Sequence, residues 1–146
     1  SFGAAVGYPV TPEPRSLAVG DIDGDGELDI VATSYTYPNI LVLRGDGAGG
    51  FADKPGFVPS DIGVYAVALA DLDGDGALDL AEADLDRSEL AVLHNLGPAK
   101  IPRLNVFPVD AGPVDLLVAD LDGDGALDVA TANSGAGTVT VLRADP

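Results

Sequence analysis

Cysteine, methionine and tryptophan are absent from the 146 residues, histidine occurs once, and lysine and arginine number only 7 against 24 acids. Zero cysteines exclude disulfides and thiolate metal sites. A net charge of −17 argues against nucleic acid as a partner, because phosphate binding needs a basic footprint. No stretch reaches the ~20 consecutive apolar residues of a membrane span, and no secretory signal is present. The chain opens at Ser1 without any methionine, which reads as a processed or excised segment.

What is abundant is aspartate in a fixed pattern. The string D-x-D-G-D-G-x-L-D occurs three times, at 21–29, 71–79 and 120–128, with starts 50 and then 49 residues apart. The aspartates of these loops are 12 of the 24 acids. Four carboxylates within nine residues repel one another unless a cation neutralises them. The spacing suits Ca²⁺, which takes about six to eight oxygen ligands and needs a tight turn to gather them from a short segment. Positions 1, 3, 5 and 9 can point inward together, with a main-chain carbonyl at position 7 and glycine at position 6. The expected ligands are Asp21, Asp23, Asp25, the Glu27 carbonyl and Asp29; then Asp71, Asp73, Asp75, the Ala77 carbonyl and Asp79; then Asp120, Asp122, Asp124, the Ala126 carbonyl and Asp128. Three ions would offset about a third of the net −17.

An EF-hand would place a bidentate Glu at position 12 and flank the loop with helices. Position 12 is Ala32, Glu82 and Thr131, and the residues after the first loop, Asp29-Ile30-Val31-Ala32, are short and β-branched. Strands on both sides are therefore expected. Three acidic surface turns without metal are the remaining alternative. Weak calcium sites, with dissociation constants of about 10⁻⁴ to 10⁻³ M, fill only where calcium is abundant, which points to a secreted or cell-surface protein.

The repetition extends beyond the loops. Leu17-Ala18-Val19-Gly20 aligns with Val67-Ala68-Leu69-Ala70 and Leu116-Leu117-Val118-Ala119; Asp29 to Ala32 aligns with Asp79 to Glu82 and Asp128 to Thr131. Ile40 to Arg44 aligns with Leu90 to His94 and Val139 to Arg143, and more weakly Phe51 to Phe57 with Ile101 to Phe107 and Phe2 to Tyr8. Four short apolar runs per unit, punctuated by Gly, Pro, Asn and Asp, predict four-stranded antiparallel meanders. The fold class expected is all-β, three units of about 50 residues being the size of β-propeller blades. Such a unit without disulfides cannot bury enough core alone. A calcium-binding β-helix is the alternative, but its tandem glycine-rich nonapeptides are absent.

Asp21-Ile22-Asp23-Gly24-Asp25-Gly26-Glu27-Leu28-Asp29, with Leu17 to Gly20 before it and Ile30 to Ala32 after it, resembles the FG-GAP/VCBS repeat of integrin alpha-subunit propellers and many bacterial secreted proteins. Gly45 to Phe51 resembles the turn that closes those blades. The resemblance implies a calcium-stabilised propeller, usually seven-bladed, serving adhesion, ligand recognition or carbohydrate-active proteins as an accessory. It implies no single activity.

Propellers have typically four to eight blades, so three do not close by themselves. Residues 1–146 are expected to be one segment of three blades, in which the strand at 2–10 completes the blade of the C-terminal strand at 139–143. Two copies joined head to tail would make six blades and cover every edge strand; the rest of a longer propeller is the alternative. No catalytic residue is expected. His94, at a strand end, reads as a solvated side chain, and no serine lies in a nucleophile elbow. Positions that break the repeat are the recognition candidates: Tyr35 and Tyr37 in Tyr35-Thr36-Tyr37-Pro38, Tyr65 and Arg87. Exposed tyrosines can stack on sugars or fill a protein pocket. The expected function is a non-enzymatic calcium-binding module for recognition, adhesion or scaffolding. A glycan-binding lectin or an accessory segment of a polysaccharide-degrading enzyme are the alternatives.

Overall fold

The computed structural model describes residues 3–37, 39–52, 56–60, 63–95 and 103–145. Among them are eleven strands and no helix. The first sheet is a meander of β1 (Pro14–Gly20), β2 (Asp29–Ser34), β3 (Asn39–Leu43) and β4 (Gly56–Pro59), each antiparallel to the next. The second repeats it with β5 (Val64–Ala70), β6 (Asp79–Asp84), β7 (Glu89–His94) and β8 (Arg103–Pro108). The third has β9 (Pro113–Ala119), β10 (Asp128–Asn133) and β11 (Thr138–Leu142), three strands among the described residues.

Each acidic loop joins the first strand of a sheet to its second, as the repeat predicts. The first strands lie side by side, β1 against β5 and β5 against β9, and the sheets face one another outward from that line. This is a propeller-like arrangement. Its core is the filling between sheets. Val31, Ile40 and Val42 of the first meet Val67, Leu80 and Leu93 of the second. Ala81, Leu90 and Val92 of the second meet Val129 of the third, with Leu116, Val118 and Leu142 at the margin. Burial on both faces explains why β2 reads as a near-continuous run of small and apolar residues rather than an alternating one; β6 is buried on both faces too but carries Asp79, Glu82 and Asp84. Gly20 marks a close approach between the first two sheets, since a Cβ there would sit 2.5 Å from Leu78 Cδ1.

The two outward faces of the stack are left open. On the first sheet Leu17 (65% exposed), Val19 and Phe57 face out, while Leu41 and Leu43 are covered by Tyr8, Val10 and Phe51. On the third, Leu117, Val139 (66% exposed) and Val141 face out, with Leu117, Ala130 and Val141 in one cross-strand row.

The outer strands depart from expectation. The fourth strand of the first sheet begins at Gly56 and not at Phe51. Phe51 instead bridges Gly45 and packs edge-on against Tyr8, with ring centroids 5.1 Å apart. The cause is a self-contained turn. Asp46 Oδ1 accepts the N–H groups of Ala48 at 2.9 Å and Gly50 at 2.8 Å, so the chain closes on itself before the strand can start. Those two donors hold the Asp46 carboxyl below its ordinary 3.8. Residues 3–10, expected as a strand, form none among the described residues. Phe2, Pro38 and Ile101 lie outside the described residues.

Candidate functional site

Three acidic turns project from one end of the stack, built alike. Both glycines in each turn take positive φ: Gly24 and Gly26, Gly74 and Gly76, Gly123 and Gly125, at 75 to 97°. Side chains rarely adopt that region, so glycine is required there. The backbone then wraps the first aspartate. Asp21 accepts N–H bonds from Gly24 at 2.7 Å, Asp25 at 3.1 Å and Gly26 at 2.8 Å. Asp120 accepts from Gly123 and Gly125, and Asp71 from Gly76. The aspartate at position 5 accepts the N–H of position 7 in every loop: Asp25 from Glu27, Asp75 from Ala77 and Asp124 from Ala126, all at 2.8 Å.

The aspartate at position 9 has a further role that spacing did not disclose. Asp29, Asp79 and Asp128 are fully buried. Each joins the loop to a residue just past the third strand. Asp29 accepts from Ile22 (3.2 Å) and Gly45 (2.9 Å), Asp79 from Leu72 (3.1 Å) and Asn95 (2.8 Å), and Asp128 from Leu121 and Ala144 (both 2.9 Å). It is a staple between loop and sheet as well as a candidate ligand.

Carboxylate oxygens within 4.8 Å of one another form the sets Asp21, Asp23 and Asp29; Asp71, Asp73 and Asp75; and Asp120, Asp122 and Asp128. Asp25 and Asp124 are not in their loops' sets. Asp23 Oδ1 and Asp71 Oδ1 are shut off from solvent and have no hydrogen-bond partner. A carboxylate oxygen in that position calls for a cation. In the second loop Asp73 and Asp79 form a further set with the His94 ring nitrogen; the other three sets are all oxygen, which fits Ca²⁺ or Mg²⁺ better than softer metals.

The residue that ends or follows each third strand answers position 3 of its loop. Arg44 Nη1 lies 3.1 Å from Asp23, Arg143 Nη1 lies 3.7 Å from Asp122, and His94 Nδ1 lies 3.3 Å from Asp73 and 3.2 Å from Asp79. His94 is therefore not the solvated side chain its alignment suggested. Asn105 on the neighbouring β8 approaches its Nε2 at 3.1 Å, so β8 and the loop close over the ring.

At the opposite end, the recognition candidates separate. Tyr35 and Tyr65 meet edge to face with centroids 6.4 Å apart, and Arg15 lies over both rings at 5.8 and 5.4 Å. The Tyr35 hydroxyl donates to Asp86 Oδ1 at 3.2 Å, and that carboxylate raises its pKa above the ordinary 10.0. Arg87 points elsewhere, donating to Asp84 at 2.9 Å, and Tyr37 stands 46% exposed in its loop. Arg15 and Asp86 were missed by sequence reasoning. The available signal was that Arg15 occupies the repeat position of Tyr65.

The FG-GAP-like repeat family model matches residues 21–82, which take in the first two acidic loops. No curated protein sequence matches the chain. Among solved structures the chain is similar to an Agrocybe aegerita lectin, described for specific recognition of non-reducing terminal N-acetylglucosamine. Identity is 20% and the TM-score 0.58, over 92% of this chain and 39% of that one. The chain thus spans about two fifths of that lectin, and the likeness is one of fold.

Proposed function

We propose, for a chain whose residues 21–82 are an FG-GAP-like repeat, that its three sheets are propeller blades pinned by calcium and that the molecule recognises partners without transforming them. One observation carries the calcium part. The same acidic turn recurs at the same end of all three sheets, with the Asp23 and Asp71 oxygens sealed from water and lacking donors. Asp21, Asp23 and Asp29, with their counterparts in the other loops, would hold the ion. When bound, Ca²⁺ supplies charge neutralisation and a fixed crosslink between the first two strands of a blade. The chain's own part is to present the carboxylates on backbone already folded by glycine and by the position-9 staple. Sites of this weak class suit a secreted or surface protein.

For sites with a dissociation constant of about 10⁻⁴ to 10⁻³ M, 10 mM calcium should add roughly 1.4 to 2.7 kcal/mol per site. Calorimetric melting with calcium and with a chelator tests this; identical melting curves would contradict it.

The open apolar faces bear on assembly. A second copy, head to tail, would set Leu117, Val139 and Val141 against Leu17, Val19 and Phe57, and would give residues 2–10 the edge of β11 to pair with. Tyr8 and Val10 already lie on the first sheet's outer face, where that added strand would run. Light scattering at about twice the monomer mass is expected; a stable monomer in calcium rejects the pair.

Glycan binding is the second reading, favoured by the tyrosine cluster and by the lectin of like fold. An N-acetylglucosamine-terminated glycan is the first probe to try.

A further inference from the structure

We propose that Arg15, Tyr35, Tyr65 and Asp86, at the end of the stack away from the acidic loops, form a binding site for a neutral pyranose. The site deepens the recognition role proposed above and does not depend on calcium.

The cluster is placed by backbone irregularity. In β1 the register slips between Pro14 and Leu17, and in β5 between Val64 and Ala66, so Arg15 and Tyr65 sit in bulges at equivalent positions. Bulges re-aim side chains and are common beside binding sites. Tyr35 comes from the β2–β3 turn and Asp86 from the β6–β7 turn, 51 residues apart, and they meet only because the two sheets stack.

A staple required by the fold would recur between the second and third sheets. It does not. At that second interface the positions of Arg15, Tyr35, Tyr65 and Asp86 carry Tyr65, Leu85, Val114 and Gly135.

The chemistry selects the ligand. Two tyrosine rings, each only half-buried and each with Arg15 over it, offer the ring surface that Arg15 leaves uncovered to the C–H side of a sugar. Asp86 is exposed, and its bonds from Tyr35 at 3.2 and 3.5 Å are long for a hydroxyl on a carboxylate, so both oxygens keep capacity for sugar hydroxyls. Arg15 is exposed and supplies donors. The net charge of −17, with Asp84 and Asp86 at hand, disfavours an anionic glycan, and Arg15 occupies the place a cationic ligand would take.

Saturation-transfer NMR with the methyl glycosides of glucose, galactose and mannose, and methyl glucuronide as the anionic control, tests the site. At least one neutral glycoside should receive saturation on its ring protons. Tyr65→Ala and Tyr35→Ala should cut that signal about tenfold, and Asp86→Asn, at an exposed position, should cut it without affecting folding. Transfer unchanged in all three variants would place glycan binding elsewhere and overturn the site while leaving a lectin role standing. No transfer from any glycoside, or transfer to the glucuronide alone, would overturn it also; the calcium-dependent melting shift, read on the same samples, reports separately on the scaffold.

Discussion

Removing the buried carboxylate of Asp29 separates two jobs that its loop combines. Its oxygens accept the N–H groups of Gly45 at 2.9 Å and Ile22 at 3.2 Å, tying the acidic turn to the end of β3 at a fully buried position. Hydrogen bonds to a charged group contribute roughly 1.5 to 3 kcal/mol each, and releasing the carboxylate from its buried position returns part of that. Asp29→Ala should therefore cost about 3 kcal/mol in chelator, where the lost partners are backbone N–H groups, and more in calcium, where one site's share of stabilisation goes as well. For a chain of this length that is a fall of roughly 10 °C in melting temperature. Asp23→Ala is the contrast. Its Oδ1 has no partner and its Oδ2 meets only the exposed Arg44, so in chelator the variant should melt at or slightly above the parent. In calcium it should lose one site's share of stabilisation. Calorimetric melting of the three proteins in both buffers is the assay. If Asp29→Ala matched the parent in chelator and lost only the calcium response, position 9 would be a ligand and not a staple.

Three further outcomes follow from particular contacts. Gly20→Val should destabilise by about 1 to 3 kcal/mol in chemical denaturation, because its Cβ would crowd Leu78 and Leu69 where the first two sheets meet. Tyr35 should ionise above 10.0 in an NMR titration and move back down in Asp86→Asn; with its folded pKa raised, its contribution to stability is present below pH 10 and is lost as pH rises through the folded value. Asp46 titrates below 3.8, so the Gly45–Phe51 turn should stay closed above that pH and open as pH falls through the lowered value, read from the amide shifts of Ala48 and Gly50.

The inner half of each sheet was legible in the sequence because two periodicities agree there. The nine-residue acidic string fixes the turn, and Leu17 to Gly20 and Asp29 to Ala32 recur in register around it. Outer strands were read less well. They sit half-exposed at sheet margins, so Phe51 could serve a turn as readily as a strand and its apolar character did not decide. The staple role of Asp29, Asp79 and Asp128 was hidden because a ligand and a backbone acceptor look alike in sequence. Arg15 and Asp86 were missed for another reason. Their meeting with Tyr35 and Tyr65 depends on bulges and on sheets stacking across about 50 residues, which no local pattern encodes.

The acidic turns as calcium cradles are the premise on which blade, closure and location rest. Isothermal titration of calcium into chelator-stripped protein tests it most directly. Three ions per chain with a dissociation constant of about 10⁻⁴ to 10⁻³ M are predicted, falling to two in Asp23→Ala. No heat at millimolar calcium, or an undiminished stoichiometry in the variant, would contradict it.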